Sequence, residues 1–261
     1  MKDIRIGVIG GTRGMGKWFA DFLKDQGYVV HVSGRKTGLT MAEMAAVCQV
    51  VVVSVPIGAT IDIIAQVGPL MGEESLLMDL TSLKSEPVRA MLEYSRSEVI
   101  GCHPLFGPQV PSLARQNVII CPARGKKWLP WLEDLLTKGG ARITEAEPEK
   151  HDEIMSVVQG LNHFNTIMMG LALSRMSASL AELDGFTTPF FDAKAGMVKK
   201  IFSENPRLYT EIICNNPEMA RMIEIYRQVL EEINPRVVQG EAEELTVILA
   251  RAAHRLWPPE D

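Results

Sequence analysis

Seven short runs of almost uninterrupted apolar residues recur in the first 145 positions: Ile4 to Ile9, Val29 to Val32, Val50 to Val55, Leu76 to Leu80, Val99 to Cys102, Val118 to Cys121 and Ala141 to Thr144. Helical patterns separate them. A strand that is apolar at nearly every position has both faces covered, so the runs predict a doubly wound α/β domain with an internal parallel sheet. After Glu145 the strand signals stop, and helical patterns continue to Pro258-Pro259, broken at Gly185 to Pro189, Asn205-Pro206, Asn216-Pro217 and Asn234-Pro235. Two domains are expected, an α/β domain over 1–147 and an all-helical one over 148–261.

The first run leads into Gly10-Gly11-Thr12-Arg13-Gly14-Met15-Gly16, followed by a helical pattern. Strand, glycine turn and helix in that order suit a dinucleotide. Glycines let backbone N–H groups approach a pyrophosphate at the positive end of the helix, which makes the domain Rossmann-like. Val55 and Pro56, at the carboxyl end of the third run, join the turn as candidate cofactor contacts because ligands of open α/β sheets bind beyond the carboxyl ends of the strands. An NAD-preferring domain places an acid after the second strand, yet Val29 to Thr37 contains none and offers Arg35 and Lys36. Two cations suit a 2′-phosphate, which favours NADP, with NAD as the alternative.

The helix expected over 148–174 has an unusual composition. At 100° per residue, Ile154, Val157, Val158, Leu161, Phe164, Met168 and Leu171 form one apolar side. Asp152, Ser156, Gln159, His163, Thr166 and Gly170 form the opposite stripe, which is polar but almost uncharged. A solvated face would carry Lys and Glu, so Gln159 and His163 are expected either to line a partly enclosed cavity or a subunit interface, or to bond their neighbours within a buried bundle helix. So long an uncharged segment also predicts a homodimer formed through the helical domain.

Net charge excludes other classes of partner. With 27 basic and 32 acidic side chains the chain carries −5, which gives no attraction to nucleic acid or to an anionic membrane. A small-molecule substrate is the expectation. Four cysteines at wide, irregular spacings contain no CxxC pair, so neither a metal site nor a disulfide scaffold is expected. Without a signal-peptide pattern or an apolar span, the expected location is cytoplasmic.

Beyond the strand ends lie Thr81-Ser82-Leu83-Lys84 and His103-Pro104-Leu105-Phe106-Gly107-Pro108. A histidine in that position is suited to take a proton from an alcohol as hydride leaves its carbon. Together with the glycine turn, Asp79-Leu80-Thr81-Ser82-Leu83-Lys84 and the helix opening His151-Asp152, the run Gly101 to Pro108 resembles the prephenate dehydrogenase family. The resemblance implies oxidative decarboxylation of prephenate to 4-hydroxyphenylpyruvate in tyrosine biosynthesis, by a Rossmann domain followed by a helical dimerisation domain. It implies that His103 is the catalytic histidine, that Ser82 hydrogen-bonds it, and that His163 is a second active-site histidine. Where the family pattern has a substrate-binding arginine ahead of an Asp-Pro, this chain has Lys200 ahead of Asn205-Pro206, with Lys199, Arg207 and Lys84 as substitutes.

The chain ends soon after the helical region, so no regulatory module is expected. Arogenate dehydrogenase is the nearest alternative, and the neutral Gln109 leans toward prephenate because the ammonium of arogenate favours a carboxylate. A hydroxyacid or imine dehydrogenase using Lys194 or Lys200 is the more distant alternative.

Overall fold

The structure, a computed structural model, describes residues 4–34, 37, 39–177 and 179–259. All seven predicted runs are strands: β1 (Arg5–Ile9), β2 (Val29–Ser33), β3 (Val50–Val53), β4 (Leu76–Asp79), β5 (Glu98–Pro104), β6 (Asn117–Arg124) and β7 (Arg142–Glu145). They form one sheet in the order β2-β1-β3-β4-β5-β6-β7. From β2 to β5 every neighbouring pair is parallel. The sheet is the expected doubly wound, parallel one except at the far edge, where β6 runs antiparallel to β5 and β7 runs parallel to β6. A parallel return needs a long crossover, usually a helix. Residues 105–116 contain Gly107, Pro108 and Pro111, form no helix, and bring the chain straight back.

Helices α1 (Gly14–Asp25), α2 (Met41–Val47), α3 (Ile57–Val67), α4 (Ser85–Tyr94) and α5 (Leu129–Lys138) cover the sheet. The two-residue period of each strand divides the apolar residues between its faces. Ile6, Val8, Val50, Val52, Leu76, Met78 and Ile100 pack with Phe19, Leu23, Leu132 and Leu135, which come from α1 and α5. Ile9, Val51, Val53, Leu77 and Val99 pack with Met44, Ile64, Val88 and Met91, from α2, α3 and α4. Burial of each such side chain contributes about 1.5–3 kcal/mol.

The expected long helix follows β7 as α6 (Pro148–Met155), a π-helical segment (Ser156–Leu161) and α7 (Asn162–Leu173). Next come α8 (Leu180–Leu183), α9 (Pro189–Lys199), a second π-helical segment (Lys200–Glu204) and α10 (Pro206–Asn215). Asn205 caps α10 by accepting from the Leu208 N–H at 3.3 Å, and Pro206 occupies its first turn.

The chain divides into two compact units, Met1–Pro217 and Glu218–Asp261. The first therefore holds the sheet together with α6 to α10. The second consists of α11 (Met219–Gln239) and α12 (Ala242–Leu256), joined at Gly240, whose φ of 74° closes α11.

Candidate active site

The sheet order reverses between β1 and β3, and an open α/β sheet binds its ligand in the crevice beyond such a switch point. The glycine turn lies there. Gly10 has φ 86°, and a Cβ on it would stand 2.0 Å from the Ser54 carbonyl oxygen, just ahead of Val55 and Pro56. A Cβ on Gly16 would stand 2.6 Å from the Gly10 oxygen, so glycine there lets α1 start hard against the turn. Arg13 precedes α1 in extended backbone, and no acidic residue lies in the first turn. Thr12, Arg13 and Gly14 are exposed and Met15 half-buried, leaving the first turn open to an anion. Gly11 is buried between Val8 and Val32. Gly10 donates to the Ser33 carbonyl at 2.8 Å, which ties the end of β2 to the turn. Arg35 and Lys36 lie outside the described residues.

Three strand spacings of about 4.8 Å separate β1 from β5, so the end of β5 lies roughly 14 Å along the sheet edge, a dinucleotide's reach. His103 stands there, 3% exposed. Its Nδ1 lies 2.9 Å from Nε2 of His151, whose own Nδ1 lies 2.8 Å from Oδ1 of Asp152. On its other side, Nε2 of His103 lies 3.4 Å from the amide nitrogen of Gln159. His151 and Asp152 are each 2% exposed, so the chain of groups is sealed from bulk water.

Asp152 also accepts from the backbone N–H groups of Lys84 at 2.8 Å and Ser85 at 2.9 Å. Helix α4 has no side-chain cap of its own at Lys84, so the carboxylate serves its N-terminal amides and favours its dipole. Ser85 Oγ donates to the Pro148 carbonyl at 3.2 Å, and Asn216 donates to the Asp152 carbonyl at 2.9 Å. These bonds dock the start of α6 on the sheet domain.

Beneath them lies a fully buried ion pair. The Lys84 ammonium bonds Asp79 Oδ2 and donates to the Cys102 carbonyl at 3.0 Å, while Thr81 donates to the same carboxylate oxygen through its N–H and its hydroxyl. A Cβ on Gly101 would stand 3.0 Å from the Lys84 stem and 2.7 Å from Val88, so glycine there opens the channel the lysine occupies. Such burial is tolerated only because both charges keep several partners.

Burial holds His103 well below the ordinary 6.5, with the charges of His151 and Lys84 acting in the same direction. Burial also lowers His151, outweighing the support of Asp152. For Asp152 burial pushes upward, but the hydrogen bonds from His151, Ser85 and Lys84 win and hold the carboxyl below its usual range. At neutral pH the set comprises two neutral imidazoles and one carboxylate.

The structure brings together His103 and Gln159, as the sequence suggested, and adds His151, Asp152, Asp79 and Lys84 to the site. Ser82 is half-buried, and the described hydrogen bonds of His103 run to His151 and Gln159 and not to this serine. His163 packs edge-on against Tyr209, ring centres 4.8 Å apart, and burial lowers its pKa. Glycine at 170 lets Phe202 reach α7, since a Cβ there would stand 2.6 Å from the ring. The segment carrying Lys200 therefore lies against the helix carrying His163. Lys200 itself is exposed and forms no ion pair among the described residues. Arg207 pairs with Glu211 at 2.7 Å, and Lys84 is withdrawn from the list of carboxylate partners because it is buried on Asp79. Lys194 is exposed over the Phe190 ring, without the burial a catalytic amine needs. Gln109 is exposed as well. Among the described residues no group of acids, histidines and cysteines is arranged to hold a metal. No described helix is long and apolar enough to cross a membrane.

A family model of the prephenate dehydrogenase nucleotide-binding domain matches residues 19–145, and one of its dimerization domain matches residues 147–251. The chain belongs to the prephenate dehydrogenase family. It is 36% identical to a probable arogenate/prephenate dehydrogenase of Methanocaldococcus jannaschii, over 96% of this chain and 60% of that protein. It is 34% identical to the T-protein of Haemophilus influenzae, over 87% of this chain and 60% of that protein. The chain thus spans about three fifths of the length of these relatives of the family. The fold resembles that of prephenate dehydrogenase from A. aeolicus, crystallised with hydroxyphenyl propionate and NAD+, at a TM-score of 0.79 and 20% identity over 98% of each chain. Synechocystis arogenate dehydrogenase has a similar fold, at a TM-score of 0.73 and 17% identity over 97% of this chain and 98% of that one.

Proposed function

We propose that the chain is a nicotinamide-dependent dehydrogenase that oxidises and decarboxylates prephenate, with His103 as its general base. The observation that carries this reading is a buried, neutral histidine at the carboxyl end of β5, a dinucleotide's reach from the glycine turn. The residues at the turn fit the pyrophosphate: Gly10 and Gly16 leave room for close backbone approach, and the open first turn of α1 supplies amide donors. When bound, the nicotinamide supplies the acceptor for the hydride lost from the hydroxyl-bearing ring carbon. His103 Nε2 takes the hydroxyl proton, and Gln159 donates its amide N–H to the same oxygen. The bond from the ring to its carboxylate then breaks, its electron pair passes through the ring to the new carbonyl oxygen, which recovers the proton held by His103, and carbon dioxide leaves.

Prephenate is favoured over arogenate by the state of Asp152. It is the single acid on the stripe from Asp152 to Gly170, and its oxygens are already taken by Lys84, Ser85 and His151. No carboxylate of the stripe is left for an ammonium. Residues 148–261 serve as the substrate and dimerisation region, with His163 and Lys200 on the substrate's carboxylate side. A desolvated carboxylate needs such a cation. NADP is the proposed cofactor because Ser33, at the end of β2, is tied to the turn by the Gly10 N–H, and the sequence from Gly34 to Thr37 carries no acid. A homodimer is supported by the outward side of the helix over 148–173, where Ile154, Val157, Val158, Met168 and Leu171 are all exposed.

Turnover of prephenate and arogenate with NAD and NADP, for the wild type and His103→Asn, tests the reading. The expected result is prephenate turnover that His103→Asn lowers by about 10²- to 10⁴-fold at nearly unchanged cofactor affinity. Near-normal turnover in the variant would remove His103 from the chemistry.

A further inference from the structure

We infer that His151 and Asp152 form a buried relay that holds His103 in the single tautomer whose Nε2 is bare and able to accept the substrate proton. The inference rests on His103 being the base and adds two positioning residues to it. It follows from counting donors along the chain of contacts. Asp152 is an ionised carboxylate and can only accept, so the 2.8 Å contact requires His151 Nδ1 to carry a hydrogen. A neutral imidazole protonated at Nδ1 has a lone pair at Nε2. The 2.9 Å contact to His103 Nδ1 must then be filled by a hydrogen from His103, which leaves His103 Nε2 as the lone pair. Gln159 approaches that nitrogen with its amide N–H, the orientation a bare acceptor requires.

The opposite tautomer would set two lone pairs against each other between the rings, in a place with 2–3% exposure. When His103 takes the substrate proton at Nε2, the new imidazolium keeps its Nδ1 hydrogen in the bond to His151. Asp152 stabilises the added charge two links away, and no proton moves along the relay. The anchor is rigid, because Asp152 is also fixed by the amides of Lys84 and Ser85 at the start of α4.

The tautomer can be read without turnover. The protein has five histidines, so ring-nitrogen NMR of histidine-labelled protein resolves few signals, and His103→Asn identifies the one of interest. The relay predicts that His103 carries hydrogen on Nδ1 and none on Nε2 near neutral pH. His151→Phe, which keeps the ring and removes both nitrogens, should allow the Nε2–H tautomer and lower kcat by about 10²- to 10⁴-fold with the cofactor KM unchanged. His151→Gln offers an acceptor at the same reach, so it should restore the Nδ1–H tautomer and most of kcat while shifting the acid limb of the pH profile. An Nε2–H signal for His103 in the wild type overturns the relay, and so does an unchanged tautomer in His151→Phe. Loss of turnover in His103→Asn beside either result leaves His103 as the base and removes only the relay. If His103→Asn keeps its turnover, the base assignment fails instead.

Discussion

Replacing Lys84 by Met removes the ammonium from the buried pair while keeping the stem that threads past Gly101. Asp79 would then be a carboxylate at 0% exposure held only by Thr81, with an Oδ1 that already lacks a partner. The Cys102 carbonyl would lose its lysine donor as well. Breaking a buried pair from one side costs about 3–5 kcal/mol, because the surviving charge keeps its desolvation penalty and loses its compensation. For a unit of this size each kcal/mol lowers Tm by roughly 2–4 °C, which gives a fall of roughly 6–20 °C. Thermal and urea unfolding followed by the fluorescence of Trp128 and Trp131 would measure it, since both rings lie in the core of the same unit. Adding Asp79→Asn should return at least half of the loss by removing the stranded charge. A penalty below ~1 kcal/mol for Lys84→Met, the worth of an exposed pair, would refute the view that these charges are sealed from water.

Because burial holds His103 below 6.5 and the neutral ring is the one that acts, kcat/KM should be full at neutral pH and fall only at acid pH, with a midpoint under 6.5. A midpoint above 7 in a steady-state pH profile would contradict this. Lys200→Ala should raise the KM for prephenate far more than it lowers kcat, and Lys200→Arg should retain binding, whereas wild-type constants in both would make Lys200 a surface residue. Gly10→Ala should abolish cofactor binding measured by fluorescence titration, since the new Cβ would meet the Ser54 carbonyl at 2.0 Å in a backbone with φ 86°. Light scattering should give a dimer at micromolar concentration and a monomer for Val158→Glu; a monomeric wild type would exclude the helical face as an interface.

The strands were legible because unbroken apolar runs such as Val50 to Val53 report burial on both faces, and the structure reproduces all seven. Their direction was less legible, since an apolar run carries no polarity. The signal for the reversal at β6 lay instead in the proline-rich loop 105–116, which cannot form a crossover helix. His103 could be read from its position at a strand end, but its partner His151 is 48 residues away, and no local pattern announces a contact at that separation. Lys84 looked like a free cation. Only the three-dimensional placement of Asp79, at the end of β4 five residues earlier, shows that it is consumed internally. The stripe of the long helix was sound in composition, but 100° per residue misses the π-helical segment that carries Gln159.

One carboxylate, that of Asp152, joins the capping of α4 to the electronic state of the base, and this limits how the molecule can be recombined. A chimera that took its α/β half from one parent and its helical half from another would bring together an α4 N-terminus and an acid–histidine pair shaped against different partners. Such a hybrid could fold, bind its dinucleotide and still be catalytically silent, because a slip of an ångström at the seam misaligns the imidazole that receives the proton. Segments 79–85, 101–104 and 148–159 therefore form one unit of inheritance, spread over two matched domains, and have to be transplanted together for activity to survive.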